Sequence, residues 1–402
     1  MLDSSMIRES RTGATSSKQA MEVPFSAPDI GELEVEAVAA VLRSGWITSG
    51  PQMRGFEDEF SHFVGGGVNA IAVNSATAGL HLALEACGVG PGDEVIVPTW
   101  TFTATAEVVT YVGARPCLVD VDPVTQLLDL EGVARAITPR TRAVIPVHVG
   151  GLSVDPQALR AVVGPEIRII EDAAHALPAT RSGIAVGSCR HTDAAVFSFY
   201  ANKTMTTGEG GMITTPSAEL ADRARLMRLH GIDRDAFARY TSMDSSWAYD
   251  VVHAGMKYNL SDIAAAIGRV QLSRCREMQA RRQSIAQTYL SAFSDLPVGL
   301  PATGAPGDVH AWHLFVLRFG PDSPLDRSRF IKELGALQIG TSVHFIPLHR
   351  LSHWRNTLGC ADEDFPVATK AFGEVVSIPI YSRMTDAQVA AVVEVVRKTL
   401  GA

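Results

Sequence analysis

The chain has 402 residues, of which 46% are hydrophobic, and its 35 Lys and Arg against 43 Asp and Glu give a formal net charge of −8. This acidic balance, without a basic run, argues against a nucleic-acid-binding protein. Every apolar stretch is interrupted well short of the ~18 residues of a membrane span. The length suits one large domain or two to three smaller ones.

Along the chain, apolar β-rich runs alternate with helical patterns after Pro24. The predicted strands cover 70–74, 94–98, 116–121, 142–149, 167–171, 194–199 and 211–214. The predicted helices between them cover 78–86, 103–111, 129–136 and 155–162. Several strands are apolar on both faces, which is typical of strands covered by helices on each side. The alternation predicts an α/β fold with a mainly parallel sheet and right-handed crossovers.

The second half of the chain changes character. Helical patterns dominate from about 217 to 296, including the long stretch 261–292, and the Pro/Gly-rich segment 296–308 then resembles a boundary loop. We therefore expect a mobile tail over 1–22, a large domain over 23–296 and a small C-terminal α/β domain over 297–402. The tail lacks the apolar core of a signal peptide.

The cysteines are scattered, odd in number and without C-x-x-C spacing: Cys87, Cys117, Cys189, Cys275 and Cys360. We expect neither a disulfide framework nor a structural zinc site, and we expect a cytoplasmic protein.

One lysine follows an apolar strand and precedes a glycine-rich run. Lys203 lies in FSFYANKTMTTGEGG, residues 197–211. A solvated loop lysine is the simpler interpretation, and two other segments argue against it.

The first of these segments places Asp172 at the end of a buried strand, in IIEDAAH. This is the edge at which open α/β sheets bind ligands, and an acid there is costly unless it is paired. A cationic pyridinium nitrogen would pair with Asp172 in a hydrogen bond worth roughly 1.5–3 kcal/mol. A helix N-cap role for Asp172 is the alternative.

The second segment runs from a strand into a helix through small polar residues, VNSATAG at 73–79. Backbone N–H groups and the helix dipole at such a start hold phosphate, although capping by Ser75 or Thr77 explains the same residues. Small polar residues, an acid at a strand end and a later lysine, in that order, describe a pyridoxal-phosphate (PLP) site.

From about Val23 to its C-terminus, the chain resembles the sugar aminotransferases of the DegT/DnrJ/EryC1/StrS group. The resemblance implies the type I, aspartate-aminotransferase-like fold, with a PLP-binding large domain. The shared motifs are GWITSGP (45–51), NSATAGLHLAL (74–84), GPGDEVIVPTWTFTAT (90–105), IEDAAHA (170–176), FSFYANKTMTTGEGGM (197–212) and MKYNLSDIAAAIG (256–268). Within the group the chain is most similar to enzymes that aminate UDP-4-keto-pentose, through PRTRAVIPVH (139–148), HAWHLF (310–315) and IGTSVHFIPLH (339–349).

The resemblance implies roles for particular residues around the cofactor ring. Lys203 matches the lysine that bonds to PLP and carries the proton, and a water-poor site beside a cationic cofactor lowers the pKa of such a lysine. Asp172 matches the pyridinium partner and His175 the imidazole near the ring oxygen. Phe102 matches the aromatic ring against the cofactor face, where close relatives often carry Trp; plain core packing is its alternative.

At the phosphate end, the resemblance assigns Ala76, Thr77 and Ser198 to one subunit. Asn259 matches a phosphate ligand delivered by the neighbouring subunit, which makes the active site complete only in a homodimer. Without the resemblance, Asn259 is equally well explained as a cap of the helix that starts near Asp262.

Four residues are expected to contact substrate. Trp46 and Thr48 lie in a Gly-flanked loop that we expect at the entrance, and His344 and Tyr258 complete the set. His344 also belongs to a group of histidines that invites a metal hypothesis, but their spacing is not that of a zinc site, and we expect no metal.

These observations predict a PLP-dependent transaminase. It moves an amino group from L-glutamate to the C4 ketone of a nucleotide-linked sugar, a UDP- or dTDP-4-keto-pentose, for amino-sugar biosynthesis in a polysaccharide or natural product. The alternative substrate is a dTDP- or GDP-linked 4-keto-6-deoxyhexose. A PLP-dependent sugar dehydratase and a non-catalytic PLP-binding regulator are further alternatives; related dehydratases replace the lysine, so Lys203 argues against the first.

Overall fold

A seven-stranded sheet occupies the centre of the protein in a computed structural model that describes residues 21–65, 67–233 and 248–401. Most of the expected N-terminal tail therefore lies outside the described residues. The strands of the protein are β1 (Asn69–Val73), β2 (Glu94–Pro98), β3 (Arg115–Val119), β4 (Thr141–Val144), β5 (Arg168–Asp172), β6 (Thr180–Arg181), β7 (Ile184–Ala185), β8 (Ala194–Ser198), β9 (Gly211–Thr215), β10 (Phe315–Arg318) and β11 (Val375–Ile378).

The order across the large sheet is β1-β9-β8-β5-β4-β2-β3. Only β9 runs antiparallel to its neighbours, and the other pairs are parallel. The predicted mainly parallel α/β sheet is therefore confirmed. Strand β4 is shorter than predicted: beyond it Val147 forms a single bridge with Asp172, and Gly150 then turns the chain with a φ of 67°. Pro146, which has no N–H to donate to a ladder, lies at this break.

Helices surround this sheet and the smaller β10–β11 pair. They are α1 (Glu32–Ser44), α2 (Pro51–Val64), α3 (Ala76–Ala86), α4 (Ala104–Tyr111), α5 (Leu130–Ala136), α6 (Pro156–Val163), α7 (Ala218–Met227), α8 (Asp262–Ala292), α9 (Arg327–Ala336), α10 (Ser352–Leu358), α11 (Pro366–Glu374) and α12 (Asp386–Thr399). Many start at a residue whose side chain accepts a backbone N–H two or three positions later, which satisfies an otherwise unpaired donor. These caps are Ser75, Asp129, Asp155, Ser217, Ser261, Asp326 and Thr385.

The expectation of dominant helix between α7 and α8 is wrong for the residues described there. Residues 228–233 and 248–261 lie outside helices and are joined by single bridges, such as Leu229 with Lys257. Asn74 donates its N–H to the Tyr258 carbonyl at 2.8 Å, so the segment before α8 lies beside the end of β1. This tertiary pairing prevails over the local helical pattern.

Both faces of the large sheet are covered, as the apolar strands predicted. One core packs α3, α4 and α7 on the sheet, and a second packs α2 and the first half of α8 around Phe56, Phe60 and Phe197. A third core lies around β10 and β11 and includes Tyr289 and Phe293 from the end of α8. Helix α8 therefore connects the two parts of the molecule, while a boundary at 296/297 remains our proposal.

Two features of the described residues bear on the class of protein. Every described helix is too short or too polar to span a lipid bilayer. The five cysteines are free thiols.

Candidate active site

A cavity of about 510 Å³ opens at the carboxyl ends of the parallel strands. Its walls come from the start of α3, the β2–α4 loop, the ends of β5 and β8, and two segments that follow α8. A larger cavity of about 680 Å³, lined by residues such as Phe63 and Arg269, lies between α1, α2 and α8 and has no lysine in its lining. The lining of the 510 Å³ cavity includes Ser75, Ala76, Thr77, Thr101, Phe102, Asp172, His175, Ser198, Asn202, Lys203, His313, His344 and Phe345.

Asp172 is the last residue of β5 and is buried at the floor of this cavity. Its Oδ2 accepts a hydrogen bond from the Thr105 hydroxyl at 2.8 Å, and its Oδ1 accepts the Ala174 N–H at 3.2 Å. Burial raises the pKa of Asp172, and these two hydrogen bonds and the nearby Lys203 act in the opposite direction. A turn, not a helix, follows Asp172, so the carboxylate is not a helix N-cap.

Lys203 lies in the turn after β8, where its N–H bonds to the Tyr200 carbonyl at 3.0 Å. Burial lowers the pKa of this lysine to about 8, although the charge of Asp172 raises it. A substantial fraction of the amine is therefore neutral near pH 8, and the neutral amine is the nucleophilic form. Lys203 is not a solvated loop lysine.

The ring of His175 is held through its Nδ1 by a backbone turn. Its Nδ1 faces the N–H of Gly150 at 3.3 Å and accepts from it, so the neutral ring carries its hydrogen on Nε2. Burial keeps the pKa of His175 well below its usual value, with further lowering by Lys203 and His344. The ring lies 4.1 Å from that of His313, centroid to centroid. His175 is therefore a neutral hydrogen-bond donor.

The opposite end of the cavity is the start of α3. The Ser75 hydroxyl accepts the Ala78 N–H at 3.1 Å, and the N–H groups of Ala76 and Thr77 belong to the first turn, whose donors have no carbonyl within the helix. A Cβ on Gly211 would lie 2.8 Å from the Ala76 nitrogen, so only glycine lets β9 approach this turn. With Ser198 on the same wall, this end suits an anion.

The fold brings together eight of the residues singled out from the sequence. Phe102 is 59% exposed, so it is not a core residue, and its ring lies 6.1 Å from that of Phe345. Burial lowers the pKa of His344 to about 4, and its Nδ1 lies 3.0 Å from the Ser377 hydroxyl. The eight residues that line this cavity are Ala76, Thr77, Phe102, Asp172, His175, Ser198, Lys203 and His344.

The other four residues singled out, Trp46, Thr48, Tyr258 and Asn259, are outside the lining of this cavity. The Trp46 indole donates to the Ser49 carbonyl at 3.1 Å, the Thr48 carbonyl accepts the Asp262 N–H, and the Tyr258 hydroxyl lies 3.2 Å from His81 Nδ1.

Asn259 belongs to a different cavity, of about 450 Å³, which Ser49 and Arg228 also line. Its Nδ2 donates to the Ser49 hydroxyl at 2.6 Å. Asn259 is not the cap of α8, because Ser261 performs that role by accepting the Ala264 N–H at 3.3 Å.

Several residues of the cavity and its floor were not predicted from the sequence. Thr101 and Thr105 lie in the TFTAT run, which was used only as a family motif, and Thr105 reaches Asp172. His313 and Phe345 come from the HAWHLF and IGTSVHFIPLH motifs, where the spacing of histidines drew attention to metals instead. Among the residues described, no group of three or more His, Cys, Asp and Glu is arranged to hold a metal ion.

The sequence and the fold are similar to those of known proteins. The model of the DegT/DnrJ/EryC1/StrS aminotransferase family matches residues 28–397. Spore coat polysaccharide biosynthesis protein SpsC of Bacillus subtilis is 44% identical over 378 residues, 93% of this chain and 96% of that protein. A putative sugar aminotransferase of Streptococcus pneumoniae, Spr1654, in its PMP-form, superposes with a TM-score of 0.87 at 35% identity over 94% of this chain and 98% of its own.

Other solved relatives extend the match. The PLP-form of Spr1654 gives a TM-score of 0.86 at 34% identity, over 94% of this chain and all of its own. CalS13 of Micromonospora echinospora, a sugar aminotransferase, gives a TM-score of 0.83 at 32% identity, over 93% of this chain and 99% of its own. The fold is that of the type I PLP-dependent transferases. The chain belongs to the DegT/DnrJ/EryC1/StrS aminotransferase family, whose members are PLP-dependent sugar aminotransferases.

Proposed function

We propose that this enzyme transfers the amino group of L-glutamate to the C4 ketone of a nucleotide-linked 4-keto sugar, a UDP- or dTDP-4-keto-pentose. The observation that carries the proposal is the meeting of Lys203, Asp172 and His175 in one cavity. The amine of Lys203 has a pKa lowered to about 8 by burial, and Asp172 is buried at the floor of the same cavity. The lysine also argues against the dehydratase and regulator alternatives.

The donor set fits PLP. Each Asp172 oxygen accepts one hydrogen bond and keeps a lone pair for a pyridinium N–H. The Nε2–H of His175 suits the ring oxygen, the start of α3 with Ser198 suits the phosphate, and the exposed Phe102 offers a ring face. When bound, PLP supplies the electron sink for the carbanionic chemistry.

Lys203 is the residue that moves protons in this proposal. In its neutral form it removes the proton from the α-carbon of glutamate, and in its ammonium form it returns a proton to C4 of the sugar. Burial favours the neutral form and Asp172 the charged one, so both are accessible near pH 8. The two half-reactions share one site, which predicts ping-pong kinetics.

We also propose that Asn259 completes the phosphate site of a second subunit in a homodimer. Asn259 is absent from the lining of its own chain's cavity and lines the 450 Å³ cavity with Arg228 instead. The ammonium of Lys257 bonds to the Asn259 carbonyl oxygen, so a cation and amide N–H groups lie side by side. This combination suits an anion brought by a neighbouring chain. Trp46, Thr48, Tyr258 and His344 remain proposed substrate contacts.

The cofactor and donor are tested on the purified enzyme. The protein is expected to be yellow, to lose its colour with L-glutamate and to carry the cofactor's mass on the Lys203 peptide after borohydride reduction. Lys203→Ala is the matched control, which binds PLP without this covalent tag. Protein that stays colourless after incubation with PLP contradicts the proposal.

The sugar is tested by running the second half-reaction backwards. The PLP-loaded enzyme is mixed with UDP-4-amino-4-deoxy-pentose or with dTDP-4-amino-4,6-dideoxy-hexose, and the loss of colour is followed. We expect the pentose to react about tenfold faster, since one methyl group in a pocket changes binding by about 1–3 kcal/mol. A faster hexose reaction favours the 6-deoxyhexose alternative, and no reaction with either sugar overturns the nucleotide-sugar proposal.

A further inference from the structure

At the floor of the cofactor cavity, two buried threonines and Asp172 form a continuous line of hydrogen bonds. The Thr105 hydroxyl lies 2.8 Å from Asp172 Oδ2, and the Thr101 hydroxyl lies 2.8 Å from that of Thr105. Both threonine side chains are buried, at 0% and 2% exposure. Because so little water reaches them, these hydroxyls interact mainly with each other and with the carboxylate.

The direction of each hydrogen bond in this line is fixed by counting hydrogens. An ionised Asp172 carboxylate can only accept, so Thr105 donates its single hydroxyl hydrogen to Oδ2. Thr105 therefore has only lone pairs to offer Thr101, and Thr101 must donate. Both O–H dipoles point toward the carboxylate, an arrangement in which each bond polarises the next.

We propose that Thr105, supported by Thr101, is a positioning residue that keeps Asp172 ionised and aimed at the ring nitrogen of PLP. The proposal rests on the assignment of Asp172 as the pyridinium partner. Thr105 is in the first turn of α4 and reaches Oδ2, while the Ala174 N–H holds Oδ1. The two donors fix the plane of the carboxylate and leave one lone pair on each oxygen.

The segment that carries these threonines is itself anchored. The Trp354 indole donates to the Thr103 hydroxyl at 3.0 Å, and the Leu348 N–H donates to the Thr99 carbonyl at 2.7 Å. Phe102, the proposed ring-face residue, lies between Thr101 and Thr103. One short segment therefore orients both the ring face and the partner of the ring nitrogen.

The electrostatic balance explains why the carboxylate needs this support. Burial raises the pKa of Asp172, which favours a neutral acid that is a poor partner for a pyridinium. The Thr105 hydroxyl acts against burial, as do the two titratable groups that face the carboxylate, Lys203 and His148. Removing the hydroxyl therefore shifts the proton from the ring nitrogen toward Asp172.

The test compares Thr105→Val, which keeps the shape but removes the hydroxyl, with Thr105→Ser, which restores it. Each variant is loaded with PLP labelled with ¹⁵N at the ring nitrogen. We expect the ¹⁵N resonance of Thr105→Val to move toward that of a neutral pyridine and that of Thr105→Ser to stay near the wild-type value. We expect kcat to fall about tenfold in Thr105→Val, with the sugar KM within about twofold, and Thr101→Val to show a smaller change of the same sign.

Thr110→Val is the matched control on α4, because its exposed hydroxyl bonds to the Glu107 carbonyl, within its own helix. In cofactor-free protein, the ¹³C-carboxyl titration of Asp172 is expected to move to higher pH in Thr105→Val and to stay unchanged in Thr110→Val. A Thr105→Val enzyme with wild-type ¹⁵N shift, ¹³C titration and kcat overturns the proposal.

If Thr105→Val does not fold, the proposal is tested with Thr101→Val instead. A wild-type ¹⁵N shift in Thr101→Val overturns the proposed line of hydrogen bonds. A wild-type protein that fails to bind PLP would instead refute the proposed function.

Discussion

Two regions of the molecule hold their polar residues in different ways. At the cavity floor, Asp172 and His175 find hydrogen-bond donors within one chain, from Thr105, Ala174 and Gly150. In the loop pair formed by residues 45–51 and 257–262, Asn259 bonds to Ser49 and Lys257 beside a separate cavity. The first region is complete in one chain, and we infer that the second is built for a neighbouring one.

The loop pair is nevertheless as firmly held as the floor. Asp262 accepts the N–H groups of Gly50, Gln52 and Met53 at 2.7 to 3.1 Å, which caps the start of α2. The loop pair is therefore a rigid surface that presents Asn259. Rigidity alone therefore does not tell which subunit's site a residue serves.

The largest expected effect is that of Lys203→Ala in the first region. We expect turnover to fall by at least about 10⁴-fold, because no other described lining residue supplies an amine to accept and return the proton. Single-turnover bleaching by L-glutamate measures it, and Lys257→Ala, which removes an exposed amine in the loop pair, is the control and should lose far less. Comparable losses of turnover in Lys203→Ala and Lys257→Ala would contradict the different roles of the cavity floor and the loop pair.

A mixing experiment tests whether Asn259 serves the neighbouring subunit. Asn259→Ala is expected to be inactive at low PLP concentration, and Lys203→Ala at any. If Asn259 serves the neighbouring subunit, a heterodimer of the two has one intact site, and random mixing restores about a quarter of wild-type activity. The assay is activity after co-refolding at limiting PLP. No recovery would place Asn259 in its own chain's site.

How far the sequence predicts the site follows from the topology. Asp172 ends β5, His175 follows it and Lys203 follows β8, and the ends of adjacent parallel strands must lie at one edge of a sheet. A strand pattern therefore places Asp172 and Lys203 at this edge, whereas the role of His175 came from the family resemblance. The residues that tune them could not be found this way, because Thr105 depends on the rotation of α4 about its axis and Gly150 on a turn with positive φ.

The incorrect prediction of helix between α7 and α8 has a similar physical cause. The Asn74 N–H bonds to the Tyr258 carbonyl and Val73 forms a bridge with Asn259, so the segment before α8 is held beside the end of β1. The conformation of such a segment is determined by contacts with residues far away in the sequence. These contacts produce no periodic pattern in the segment's own sequence. His313 and Phe345 were missed for a similar reason, since they reach the cavity from segments beyond α8.

The next largest effect is expected in the pH dependence of PLP capture by Lys203. Burial lowers the pKa of Lys203 to about 8, so the rate of PLP capture by the cofactor-free protein should rise about tenfold per pH unit below pH 8 and level off above it. Asp172 raises this pKa, so Asp172→Asn should move the break to lower pH. Stopped-flow absorbance measures both profiles. A break near pH 10.5, the ordinary value for lysine, would contradict the water-poor floor.

The smallest effect is expected from Ser49→Ala in the loop pair. The Ser49 hydroxyl gives its one hydrogen to the Leu260 carbonyl at 2.6 Å, so toward Asn259 it can only accept, and this fixes which end of the amide faces it. Without the hydroxyl the amide keeps only its bond to Lys257, and we expect the PLP dissociation constant to rise about threefold in the dimer, since one neutral hydrogen bond is worth about 1 kcal/mol. Ser49→Thr keeps the hydroxyl and is the control. Equilibrium dialysis with PLP measures the change, and an equal change in Ser49→Thr would mean that packing, rather than the direction of this hydrogen bond, orients Asn259.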